Sequence, residues 1–72
     1  MWRMDAQEAL AQAQELWGLS AAICNDEIDG KMVRLVGVLV EGWFVIKGRG
    51  ETWKAAFRDA EKEPKDEMFK LG

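Results

Sequence analysis

Apolar residues recur at three- and four-residue intervals near both ends of this chain and at two-residue intervals in its middle, a pattern that predicts helix, sheet, helix. Asp5-Ala6-Gln7-Glu8 has the form of a capping box, in which the Asp5 carboxylate accepts from an amide three residues on and Glu8 reaches back to the Asp5 amide. Ala6, Ala9, Leu10, Ala13, Leu16 and Trp17 then line one helical face, while Gln7, Glu8, Gln12, Gln14 and Glu15 take the other. Gly18 stops this helix, expected over about 5–17, because glycine readily adopts the left-handed geometry of a C-terminal cap.

From Leu19 the pattern becomes strand-like. Asp29-Gly30 between Ile28 and Lys31 predicts a tight hairpin turn, and Glu41-Gly42 between Val40 and Trp43 predicts a second. The expected strands are about 19–28, 31–40 and 43–48, a three-stranded antiparallel meander. After Gly48-Arg49-Gly50, Thr52 is an N-cap for a helix over about 52–62, with Trp53, Ala56, Phe57 and Ala60 on one apolar stripe. Pro64 ends it, since proline disfavours helical geometry at the residue before it. Residues 64–72 are read as a tail that either restarts at Pro64 and docks Met68, Phe69 or Leu71, or frays. The expected architecture is a single α+β domain, α-β-β-β-α, with both helices packed on one face of the sheet.

Two-residue turns fix which side chains share a face. One face collects Ala22, Cys24, Val33, Leu35, Leu39, Phe44 and Ile46, with Gly37 and Gly48 leaving room for a helix; this face is expected to form the core beneath both helices. The other carries Ala21, Ile23, Met32, Val36, Val38, Val40, Trp43 and Val45, edged by Arg34, Lys47 and Arg49. Two short helices do not cover both sides, and a contiguous apolar patch on a small domain marks an interaction surface unless the tail lies across it. Met32, Arg34, Val36, Val38, Val40, Trp43, Val45, Lys47 and Arg49 are therefore the expected partner-binding residues, the arginines and lysine steering toward an acidic partner. Trp17 and Trp53 fall on inner helix stripes and read as core, Trp43 falls outside, and Trp2 is placed to staple the first helix or extend the patch.

At 72 residues the chain supports one small core. Cys24 is the only cysteine, so no disulfide forms within the chain; a small buried side chain in a reducing cytosol is the expectation. The longest apolar run, Leu35 to Val40, is far shorter than the roughly 20 residues of a membrane span, and no signal-like pattern opens the sequence. Histidine and tyrosine are absent, which removes the commonest general base and metal ligand. With Ser20 and Cys24 lacking that base, no nucleophile, cofactor or enzymatic activity is expected. Asn25, Glu27, Asp29 and Gly30 imitate half of a calcium loop, but Val36 stands where the bidentate glutamate is required. Gly48-x-Gly50 lacks the third glycine of a dinucleotide fingerprint, Trp53 standing in its place.

Charge is uneven along the chain. Residues 1–30 set one arginine against six carboxylates, residues 31–58 set six basic groups against two acidic ones, and the rest sums to −2, for −3 in all. The order helix, three strands, helix resembles the double-stranded-RNA-binding domain, and Gly48-Arg49-Gly50-Glu51-Thr52-Trp53-Lys54-Ala55-Ala56 is similar to that family's Gly-x-Gly-x-Ser-Lys-Lys-x-Ala-Lys segment. The resemblance implies phosphate contacts from the start of the last helix. Of the family's lysines only Lys54 matches, Trp53 and Phe57 standing at the other positions, and the loop Asn25 to Gly30 presents three carboxylates where that family enters the minor groove. Lys31, Lys54 and Arg58 are the residues a nucleic-acid-binding alternative would use. In size and in lacking a catalytic set the chain also resembles the small inhibitor and accessory proteins of bacteriophages and mobile elements. The expected function is non-catalytic protein binding, to a foreign partner or to a second copy as a homodimeric structural protein, with RNA binding as the alternative.

Overall fold

A computed structural model describes residues 4–63 and 65–70. Its elements run α1 (Ala6–Trp17), β1 (Ala21–Ile28), β2 (Lys31–Val40), β3 (Trp43–Gly50), α2 (Trp53–Lys62) and β4 (Glu67–Lys70). Local chemistry sets most of these limits. The Asp5 carboxylate accepts from the Glu8 amide at 2.8 Å, and the Thr52 hydroxyl accepts from the Ala55 amide at 3.1 Å, so each helix has one otherwise unpaired N–H satisfied at its start. Gly18 ends α1 at φ +87. Asp29-Gly30 and Glu41-Gly42 all have positive φ, the backbone a two-residue hairpin needs to follow the twist of its strands.

The sheet is antiparallel in the order β1-β2-β3-β4. The expected three-stranded meander is thus corrected to four strands: Glu67–Lys70 pairs with β3, setting Trp43 opposite Lys70, Phe44 opposite Phe69, Val45 opposite Met68 and Ile46 opposite Glu67. The tail supplies a backbone ladder to the edge of β3. Ion pairs anchor it, Lys47 to Asp66 at 2.5 Å and Arg49 to Glu67, while Lys65 reaches Asp59 on α2. Trp2, Pro64 and Leu71, each given a role by the sequence, lie outside the described residues.

A bulge in β3 decides which face the helices cover. Val36 pairs with Gly48 but Gly37 pairs with Ile46, so Lys47 is an extra residue and the alternation of side chains reverses across it. Gly48 and Gly50 thereby join the face of Val36 and Arg34, and α2 lies directly on them: a methyl group on Gly48 would sit 2.2 Å from the Ala56 carbonyl oxygen. The small residues continue across the layer. Ala9 and Ala13 of α1, Ala21 and Val36 of the sheet, and Trp53, Ala56 and Phe57 of α2 form one buried cluster, with Met4, Trp17 and Ile23 packed against it. Trp17 stacks on Phe57 at 6.0 Å between ring centroids, tying the two helices together above the sheet.

The expected face assignment is therefore reversed. The grouping of side chains is as the turns dictate, but the helices sit on the Ala21, Ile23 and Val36 side. Ala22, Val33, Leu35, Phe44 and Ile46 form a second cluster on the opposite face, with no described helix residue in it. Without the bulge, Gly48 would share the face of Leu35 and would have invited a helix there. Cys24, paired with Leu35 on that same face, is exposed rather than buried.

The helix-free sheet face as candidate functional site

Three rows of paired residues build this face. Leu39, Phe44 and Phe69 lie side by side across β2, β3 and β4; next come Ala22, Gly37, Ile46 and Glu67; then Cys24, Leu35 and Arg49. Phe44 is 2% exposed although no described helix residue belongs to its cluster, where Leu35 and Ile46 are buried with it and Ala22 and Val33 pack alongside. Around this buried centre Leu39, Phe69 and Ile28 remain exposed, and Ala22 and Val33 are half-buried. The result is a preformed apolar floor with exposed apolar side chains at its margins.

The charges on this face cancel. Arg49 pairs with Glu67, and register puts Asp26 and Lys31 on the same side toward the β1–β2 turn, one of each sign. Among the described residues, nothing on the face selects for a strongly charged ligand.

The residues expected to bind a partner are scattered by the reversal. Val36 is wholly buried beneath the helices and Val45 is buried beside it, so neither reaches a partner. Val38 is half-buried. Arg34 lies over the Trp53 ring at 5.4 Å and donates to the Asn25 side chain at 2.5 Å, engaged within the fold. Trp43 is half-buried with Lys70 over its ring at 5.9 Å. Lys47 and Arg49 hold β4, which removes the expected steering toward an acidic partner. Met32 and Val40 are exposed, but at opposite ends of β2 with Val36 between them. The sequence did name Leu35, Leu39, Phe44 and Ile46 as one group but placed that group beneath the helices; Gly48, which receives α2, pointed to the wrong face because simple alternation does not anticipate the bulge at Lys47.

The residues of the nucleic-acid alternative do not converge either. Lys31 opens β2 on the helix-free side, while Lys54 and Arg58 project from α2 on the other. Lys54 and Arg58 flank a shallow cleft with Gln12, Phe57 and Glu61, a mixed and partly acidic lining. A larger cleft of about 500 Å³ separates the starts of α1 and α2, bordered by Asp5, Asn25, Arg34, Glu51, Thr52 and Trp53. Both helix caps there are filled by the chain's own side chains.

One carboxylate departs from its ordinary titration. The Lys65 ammonium bonded to Asp59 holds that carboxyl below the usual value, helped by the Arg49 amide donating at 3.0 Å and opposed by partial burial. Asp59 thus joins α2, β3 and the segment leading into β4. Its place is structural, on the side away from the apolar floor.

No helix among the described residues is long and apolar enough to cross a membrane. No protein family, curated protein or solved structure matches this chain.

Proposed function

We propose that this chain is a non-catalytic protein-binding domain, and that the helix-free sheet face is its docking surface. The observation that carries the reading is the apolar floor of Leu35, Phe44 and Ile46, buried with no described helix residue packed on it and bordered by exposed Leu39 and Phe69. A solvent-facing sheet normally alternates apolar-in with polar-out, whereas this one is apolar on both faces. Because the charges on the face cancel, the fitting partner is a protein presenting an uncharged apolar patch, recognised by shape and burial rather than by steering. Such a partner accords equally with a host target of a small accessory protein.

The test is differential capture from the native cell with the wild type, Leu39→Asp and a control, Gln14→Lys, on the exposed side of α1. Circular dichroism first establishes that all three fold. Leu39→Asp should lose specific proteins that Gln14→Lys retains. Identical capture by all three overturns the reading. Duplex RNA at low salt is titrated in parallel, and tight binding that falls steeply with added salt would replace this reading with the nucleic-acid one.

A further inference from the structure

We infer that two copies of this chain pair edge to edge through β4, forming one continuous antiparallel sheet of eight strands. β4 is the last strand of the sheet, and all four of its side chains are exposed, Met68 by 58% and Phe69 by 52%. An exposed edge strand presents unpaired backbone donors and acceptors, a template for another strand. The question is which strand fits.

Symmetry and charge answer it. A second copy related by an axis normal to the sheet keeps each face on its own side, so opposed residues must belong to the same face. Met68 and Lys70 lie on the helix side with Val45 and Trp43; Glu67 and Phe69 lie on the helix-free side with Ile46 and Phe44. Four registers satisfy this condition. Centring on Glu67 or on Lys70 sets like charges against each other at the axis, which is unfavourable. Centring on Phe69 sets Met68 against Lys70 of the second copy and leaves Asp66 unused.

Centring on Met68 sets Met68 against Met68 and brings Asp66 opposite Lys70 twice, once on each side of the axis. Asp66 pairs with Lys47 through one carboxylate oxygen and is 71% exposed, which leaves the other oxygen for the second copy's lysine. The other sheet edge is unsuited to self-pairing. β1 carries Asp26 and Glu27 and no basic residue, so no register of two copies sets opposite charges of β1 against each other. β1 against β4 is heterologous and leads to a ring or a filament rather than a closed pair. The β4 dimer also sets the two apolar floors side by side, with Phe69 of each copy opposite Glu67 of the other at the seam.

Solution mass across a concentration series tests the inference on the full chain. The wild type should pass from one chain of 8.2 kDa to two as concentration rises. Met68→Lys, which sets two ammonium groups against each other at the axis, should lower the association constant by about tenfold or more. In a Cys24→Ser background, Met68→Cys should form a disulfide-linked dimer with oxidised glutathione faster than Phe69→Cys does. A single-chain mass at every concentration, a dimer untouched by Met68→Lys, or faster linking at Phe69 overturns the proposal. Leu39→Asp, which lies outside the β4 seam, should leave the mass series unchanged, so failure here is separable from failure of the partner-binding reading.

Discussion

Replacing Gly48 by alanine puts a methyl group where α2 already is. The added carbon would lie 2.2 Å from the Ala56 carbonyl oxygen, and 2.7 Å from both the Ala60 amide nitrogen and its β-carbon. Carbon–oxygen contacts of this kind settle at about 3.3 Å or more, so the helix must retreat by about 1 Å. All but one of the obstructing atoms belong to the helix backbone, which does not rotate out of the way. A retreat of that size forfeits a quarter to a half of the dispersion contact under Trp53, Ala56 and Phe57, roughly in line with the upper end of overpacking costs, about 3 kcal/mol. A domain of this size has only about 3–5 kcal/mol in total. The expected result is a Tm lowered by about 12–24 °C, at about 4–8 °C per kcal/mol, or a chain only partly folded at room temperature. Thermal and urea unfolding, followed by tryptophan fluorescence and far-ultraviolet circular dichroism, measure it. Gly42→Ala is the comparison, since its surroundings are open and the only obstacle is its φ of +84, a strain of about 1 kcal/mol. If Gly48→Ala proves no more damaging than Gly42→Ala, the helix does not lie on that glycine and the described packing is wrong.

Val36→Ala removes two methyl groups from a site with no solvent exposure, and about 2–3 kcal/mol of stability should go with them; loss under 1 kcal/mol in urea titration would place Val36 at the surface. Thr52→Ala should cost about 1 kcal/mol by leaving the Ala55 amide without its cap, and restoration by Thr52→Ser identifies the hydroxyl as the cause. Asp59 has a folded-state pKa below its unfolded value, so its contribution to stability is present above the ordinary value of 3.8 and is lost as pH falls through the lower folded value. Urea midpoints of the wild type and Asp59→Asn should therefore differ near neutrality and converge in that acid window; a constant gap down to pH 2 would assign the difference to packing instead.

Capping chemistry and turn glycines made most of the fold legible, because each acts within four residues of itself. Asp5, Gly18, Thr52 and the Asp29-Gly30 and Glu41-Gly42 pairs mark element ends that the structure repeats within about two residues. β4 was not legible: its four residues carry no β-branched side chain, and what holds them is a ladder to β3 and ion pairs with Lys47 and Arg49, all remote in sequence. The candidate face was half legible. Strand alternation groups Leu35, Leu39, Phe44 and Ile46 correctly, but both faces are apolar, so hydrophobicity does not say which one the helices take. That choice depends on a single extra residue, Lys47, which moves Gly48 and Gly50 to the Val36 side. The small side chains of Ala55, Ala56 and Ala60 on α2 needed a surface that close, and the bulge provides it.

Native-state labelling of single thiols with a maleimide reports which sheet face the helices cover, since Cys24 already sits on the helix-free face. Cys24 should react in the folded wild type without unfolding, at a rate independent of added stabilising salt. In a Cys24→Ser background, Val36→Cys should react only through global unfolding. Protection of Cys24 together with rapid labelling at Val36→Cys would put the helices on the other face and leave the Leu35, Phe44 and Ile46 floor beneath them.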